Sequence, residues 1–193
     1  AIRGMKPTEK MLDVAIGTAD LAMEAIRQER ATQVTGIDLS REMMNIGADK
    51  VERAGMKGRI TFEEGSALDM PYGDEAFDAV TCAYGIRNFS DLDKGLEEMY
   101  RVMKPGGQLV ILEFSYPKNT IIRWGYNLYF SYMMPLLGKL ISHDGSAYTY
   151  FLNSVKNFIW GDEMIKHLKQ AGFSKAKYRT LTFGITTLYT ATK

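Results

Sequence analysis

Over the first 115 residues, short apolar runs alternate with longer stretches of helical spacing, and no other feature of the chain constrains its fold as strongly. "KMLDVA", "QVTGIDLS", "RITFEEGSA", "AFDAVTCAYGI" and "GQLVILEFS" read as five strands. Between them, "LAMEAIRQE" places Leu21, Ala22, Ala25 and Ile26 on one helical face. Ser40 is positioned to cap "REMMNIGADKVERAG", with Gly55 as its stop, and "DLDKGLEEMYRVM" forms a helix closed by "KPGG". Such alternation builds parallel βαβ units. Their crossovers are right-handed and wind helices onto both faces of a sheet. Strands as uniformly apolar as "AVTCAYGI" and "QLVILEF" suit a sheet covered on both sides.

Beyond residue 115 the pattern changes. Residues 116–160 carry no strand signal and are rich in large apolar side chains, among them Ile121, Ile122, Trp124, Tyr126, Tyr129, Phe130, Tyr132, Met133 and Met134. A helix "DEMIKHLKQAG", capped by Asp162, follows, and "AKYRTLTFGITTLYTATK" reads as two strands broken at "TFG". The expectation is one α/β domain over residues 1–193: a Rossmann-like, doubly wound, mostly parallel seven-stranded sheet. It ends in an antiparallel strand pair and carries an inserted helical cover at about 116–160.

Composition narrows the chemistry. A formal net charge of +1 gives no general case for nucleic acid or an acidic partner. One cysteine, Cys82, excludes an internal disulfide and points to a cytoplasmic chain, while two histidines argue against a metal centre. The start "AIRGMKPTEK" lacks the apolar run of a secretory leader, and the missing initiator Met points to residues upstream. The uncharged run between Arg123 and Lys139 is broken by Pro135 and falls short of the roughly 18–20 apolar residues a membrane span needs. It reads as a helix over a pocket or as a surface touching lipid.

In an open parallel sheet, ligands bind beyond the carboxyl ends of the strands, where the strand order reverses. After the first strand comes "DVAIGTAD". Gly17 allows a tight turn and close backbone approach. A phosphate would favour more glycines and an open helix N-terminus. Asp20 puts a carboxylate there instead, suited to an ammonium group; a plain βα turn with Asp20 as the helix-dipole partner accounts for the same residues. After the second strand stands Asp38, about 20 residues beyond the turn, where an acidic side chain accepts from both ribose hydroxyls. Asp38 could instead cap the next helix, although Ser40 is available for that. Gly65, Ser66 and Ala67 are small residues against which a flat base could lie, or part of an ordinary loop. Arg87 and Asn88 follow the fourth strand. An arginine there is suited to a developing oxyanion or to a surface ion pair.

The order "LDVAIGTAD", "VTGIDLS", "EGSALDMPYGDEAFDAV" and "RVMKPGG" resembles the class I S-adenosylmethionine-dependent methyltransferases. The closer resemblance is to the UbiE/MenG family of demethylmenaquinone and 2-methoxy-6-polyprenylbenzoquinol C-methyltransferases. It is carried by Arg101-Val102-Met103-Lys104-Pro105-Gly106-Gly107 through Glu113-Phe114-Ser115, by "YGIRN" at 84–88, and by "MMPLLGKLIS" with "YTYFLNSV". The resemblance runs over almost the whole chain. It implies cofactor contacts at Thr18, Asp38, Ser66, Ala67 and Ala83, with Gly17 shaping the turn and Asp13 and Asp20 beside the methionine moiety. Arg87 and Asn88 fall on the family's active-site Arg-Asn pair.

The implied reaction is metal-free C-methylation of a prenylated quinol by S-adenosyl-L-methionine in menaquinone or ubiquinone biosynthesis, with demethylmenaquinol to menaquinol the leading expectation. Arg87 would stabilise the phenolate and Asn88 orient the ring. Tyr148, Tyr150 and His143 are reserve substrate contacts, and residues 121–137 would take the prenyl tail or form a plain core helix. Peripheral contact with the inner face of the cytoplasmic membrane and a homodimer are compatible with this reading. Two departures stand out. Ile16 replaces a small residue, and Ala19 stands where many relatives have Gly. The family's N-terminal Tyr-Asp-x-Met-Asn helix is absent, so part of the substrate lid would lie outside these residues. Three rivals remain: another small-molecule methyltransferase, a cofactor-binding subunit without turnover, and a nicotinamide oxidoreductase. The last needs a G-x-G-x-x-G turn that the chain lacks.

Overall fold

The computed structural model describes residues 1–117, 119–128 and 146–193, without the side chains of 146–150. The expected alternation is present: β1 Thr8–Val14, α1 Asp20–Arg27, β2 Ala31–Asp38, α2 Arg41–Arg53, β3 Ile60–Glu64, β4 Phe77–Ala83, α3 Leu92–Val102 and β5 Met103–Phe114. Two helices follow, α4 Thr120–Leu128 and α5 Ser146–Asn157. The chain closes with α6 Asp162–Gln170, β6 Ser174–Leu181 and β7 Thr186–Thr192.

The sheet order is β3-β2-β1-β4-β5-β7-β6. β1 to β5 pair in parallel, and β7 runs antiparallel to both β5 and β6, so the doubly wound sheet with its antiparallel C-terminal pair is present. Side chains alternate between two cores with the period of two that a pleated strand imposes. Leu12, Val80, Leu109 and Ile111 face α3 and α6, meeting Leu96, Met99, Met164 and Leu168. Met11, Ala79 and Val110 face the other way, toward Ala22, Met23 and Ile26 of α1 and Met44 and Val51 of α2. Chain progression reverses between β1 and β4, which puts the topological switch point at their carboxyl ends.

Local expectations fare unevenly. Ser40 caps α2, its Oγ accepting the Met43 N–H at 3.3 Å, and Gly55 takes the left-handed conformation (φ +69°) just past the end of that helix. The break at "TFG" is a 3-10 turn whose Thr182, Phe183 and Gly184 all have positive φ. Asp162, by contrast, is the first residue of α6 rather than its cap; that place belongs to Gly161 at φ +66° and ψ −129°. "KPGG" does not close a helix either. α3 passes directly into β5, and Lys104–Gly107 form a bulge between the pairs Phe77↔Met103 and Ala79↔Gln108. β7 pairs with β5 only from Gln108 onward, so Pro105 sits where no neighbour needs its missing N–H. Of the expected cover at 116–160, the described parts include α4 and α5. Pro135, His143 and the side chains of Tyr148 and Tyr150 lie outside the described residues.

Candidate functional site

A cleft of about 970 Å³ opens at the switch point, lined by the residues that follow β1, β2, β3 and β4. Its floor is Asp13, one residue from the end of β1 and 1% exposed. Thr81 on β4 donates its hydroxyl to Asp13 Oδ1 at 2.7 Å, while Oδ2 is buried with no partner among the described residues. Burial pushes the Asp13 carboxyl up to about 7; the Thr81 hydrogen bond works against this and the nearby Asp38 charge adds to it. A buried carboxylate oxygen with no donor is costly, and it lines the cleft. It is the atom best placed to take a cationic ligand group.

The turn after β1 is compact because Ala15, Gly17 and Ala19 all have positive φ, at 56°, 52° and 62°. This gives Ala19 a physical reading, since it holds a conformation that glycine adopts without steric cost. Asp38, at the end of β2, accepts the Gly17 N–H through Oδ2 and the Ser40 N–H through Oδ1, each at 2.8 Å. It therefore fastens the two turns to each other. Each carboxylate oxygen has a second lone pair, so Asp38 retains capacity for ligand hydroxyls.

Asp20 lines the same cleft but is engaged. Its carboxylate lies 2.5 Å from Lys50 of α2 and accepts the Thr18 hydroxyl at 2.7 Å, and these partners hold it below the usual carboxylate range. The structure thus puts the unpartnered buried acidic oxygen on Asp13 rather than Asp20. Ser66 and Ala67 form part of the opposite wall, the Ser66 Oγ accepting the Leu68 N–H at 3.1 Å. Leu39 and Met43 also line the cleft and are 73% and 42% exposed, an apolar surface that strand and helix periodicity does not mark.

Ala83, Tyr84, Gly85 and Asn88 complete the wall after β4. Arg87 is not among the cleft-lining residues. It sits in the single 3-10 turn Ile86–Asn88, and its guanidinium turns toward β5. Nη1 donates to Glu113 Oε1 at 2.8 Å and to the Tyr84 carbonyl at 2.5 Å, while Nε is buried with no acceptor among the described residues. The guanidinium lies 5.4 Å from the Phe114 ring centroid and 5.3 Å from that of Phe151 in α5. Glu113, fully buried, is raised above the usual carboxylate range by burial, with Arg87 opposing that rise. Sequence reading placed Glu113 only within a signature; a polar residue inside the apolar run "QLVILEF" was its signal.

The arrangement fits S-adenosylmethionine better than a dinucleotide. The turn between β1 and α1 holds a single glycine, Gly17, and α1 opens on a carboxylate. The floor offers an acidic oxygen for an ammonium, Asp38 offers acceptors for ribose, and the walls offer small and apolar surface for a base. Comparison with known proteins gives the same direction. The ubiE/COQ5 methyltransferase family matches residues 1–193.

The chain belongs to that family. It is an S-adenosylmethionine-dependent C-methyltransferase. Among its relatives, a demethylmenaquinone methyltransferase of Bacteroides fragilis is 45% identical over 195 residues, covering 100% of this chain and 80% of the relative. A ubiquinone/menaquinone biosynthesis C-methyltransferase of Geotalea daltonii is 43% identical over 188 residues, covering 97% of this chain and 80% of the relative. Solved structures share the fold. A methyltransferase from Aquifex aeolicus superposes with a TM-score of 0.69 at 20% identity, over 97% of this chain and 84% of that one. Phosphoethanolamine N-methyltransferase 2 of Haemonchus contortus gives 0.72 at 17% identity, over 100% of this chain and 50% of that one. Among the described residues of this ubiE/COQ5 family member, no group of acidic, histidine or cysteine side chains could hold a metal ion.

Proposed function

We propose that this chain methylates a ring carbon of a prenylated demethylmenaquinol. The observation that carries the reading is the cleft floor, where Asp13 presents a buried carboxylate oxygen with no partner among the described residues, in the same cleft as Asp38 and Asn88. Asp13 holds the ammonium of the methionine moiety, with Asp20 and Lys50 closing the rim. Asp38 takes the ribose hydroxyls, Gly17 and Thr18 let the backbone approach, and Ser66, Ala67 and Ala83 frame the remainder. The substrate assignment follows relatives named for demethylmenaquinone methylation.

Transfer of a methyl group from a sulfonium is an in-line displacement, so the acceptor carbon must stand behind the methyl with water excluded. A ring carbon becomes nucleophilic when the adjacent hydroxyl is ionised. Asn88, facing the cleft, orients the ring. Arg87, its neighbour in the chain, keeps its guanidinium on Glu113 and the Tyr84 carbonyl beside the Phe114 and Phe151 rings, and supports the phenolate from behind the cleft wall rather than by contact. Arg87 does not take the proton itself, because a guanidinium stays protonated; water receives it.

The acceptor's prenyl tail brings the chain to a membrane surface. Among the described residues no helix is long and apolar enough to cross a membrane. α4 nevertheless exposes Ile121, Trp124 and Leu128, spaced along one helical face, at 80%, 68% and 44%. These residues rest in the interface on the inner face of the cytoplasmic membrane. The test is an assay of the full chain with S-adenosylmethionine and demethylmenaquinols under reducing conditions. Methylated quinol is the expected product, and failure to turn over any prenylated quinol overturns the reading.

A further inference from the structure

Among the described residues the most deeply buried ion pair is Arg87–Glu113, at 12% and 1% side-chain exposure. Glu113 grips the same residue twice: Oε2 accepts the Arg87 backbone N–H at 3.2 Å, and Oε1 accepts Nη1 at 2.8 Å. Oε1 also accepts the Phe114 N–H at 2.8 Å, so the carboxylate is fixed to β5. Arg87 in turn ties the Tyr84 carbonyl. Tyr84, a left-handed residue at φ +59°, and Asn88 flank this grip, and both line the cleft. On its other side the guanidinium meets Phe151, whose ring stacks edge-on against Phe114 at 5.0 Å. The pair thus joins three parts of the molecule: the end of β5, the cleft loop 84–88 and the helix α5. A buried pair of this kind contributes little net stability against an apolar replacement, which leaves geometry as its use.

We propose that Glu113 is a positioning residue of the methyl transfer. By fixing both the amide and the guanidinium of Arg87, it sets Tyr84 and Asn88 in the cleft wall for the acceptor and holds Phe151 of α5 against Phe114. The inference rests on the quinol C-methylation described above.

The test compares the full wild-type chain with Glu113→Gln, Arg87→Met and the double variant. In Glu113→Gln, kcat for demethylmenaquinol falls about 100-fold, as for a small misplacement of reacting groups. Calorimetry finds S-adenosylhomocysteine binding within about twofold of wild type, because Asp13 and Asp38 do not touch Glu113. The double variant loses no more kcat than Arg87→Met, since Glu113 acts through Arg87. Backbone hydrogen exchange rises at 84–88 and 146–157 but not at 31–53.

Three results overturn the proposal: kcat within about twofold of wild type, cofactor affinity lost in step with kcat, or single-variant effects that multiply in the double. If Glu113→Gln does not fold, the double variant, which leaves no unpaired buried charge, replaces it. That variant must bind S-adenosylhomocysteine as wild type does while turning over about 100-fold more slowly; loss of that binding overturns the proposal. If the wild type methylates no prenylated quinol, the substrate reading fails on its own. Hydrogen exchange then decides on Glu113, and unchanged exchange at 84–88 overturns its role.

Discussion

The side chain of Ile16 lies on the bare backbone of Gly36: a methyl group built on Gly36 would stand 2.1 Å from Ile16 Cδ1. Ile16 is only 6% exposed, and its N–H donates to the Ile37 carbonyl at 3.2 Å. The bulky residue in the turn is therefore matched by an absent side chain on the neighbouring strand. Gly36→Ala is expected to destabilise the chain by about 1–3 kcal/mol, the usual cost of overpacking. Adding Ile16→Ala should recover most of that loss. Urea midpoints of the two single variants and the double variant measure the coupling; strictly additive effects would contradict the packing described.

Asp13 gives a pH dependence with a defined sign. A carboxyl whose folded-state pKa is raised to about 7 binds its proton more tightly when folded. The stability it contributes to the free protein is complete below the ordinary aspartate range and is lost as pH rises through about 7. Pairing with a ligand ammonium reverses the balance by favouring the ionised form. Cofactor affinity should rise between pH 6 and 8, with proton release that calorimetry in buffers of different ionisation heat can count. Asp13→Asn should weaken cofactor binding about 10- to 100-fold, flatten its pH profile, and unfold less readily than wild type at pH 8 without ligand.

Under the proposed function the carboxylate of Asp38 has two separable duties. Asp38→Ala leaves the Gly17 and Ser40 amides without their acceptor and should lower the stability of the free protein by about 1–3 kcal/mol. Asp38→Asn keeps one acceptor and should cost less stability, while cofactor affinity still falls about tenfold or more. Thermal melts with and without S-adenosylhomocysteine distinguish the two effects. Equal stabilisation of both variants and wild type by the ligand would refute a ribose contact.

The exposed face of α4 makes a different prediction. Ile121→Glu with Trp124→Glu should reduce cosedimentation with phospholipid vesicles about tenfold or more, because charge in place of apolar area opposes interfacial burial. Turnover of a short-tailed, water-soluble quinol should stay unchanged. Long-tailed quinol presented in vesicles should turn over more slowly. Equal vesicle binding by variant and wild type would sink the membrane contact.

Much of this architecture was legible because it rests on local periodicity. The alternation of Leu12 and Val14 against Met11 on β1, the cap at Ser40 and the acidic end of β2 at Asp38 are each written within a few neighbouring residues. What escaped sequence reading depends on partners far apart in the chain. Asp20 looked available until Lys50, 30 residues later, was brought beside it by α2. Arg87 stood in the right loop, yet its guanidinium answers to Glu113 on the adjacent strand, 26 residues away. The start of α6 misled for another reason: Gly161 there has positive φ, and its N–H is taken by the Tyr189 hydroxyl at 2.8 Å, which an acidic neighbour does not reveal.

Gly85 and Ala15 meet at the mouth of the cleft so closely that a Cβ on Gly85 would stand 2.4 Å from that of Ala15. The turns that follow β1 and β4 are thus separated by the thickness of one missing carbon. A side chain at position 85 would act as a shim, prising the two turns apart and widening the aperture for every ligand alike. Asp13, Asp38 and Asn88 all line the cleft; Gly85 sets the gauge at which they face one another.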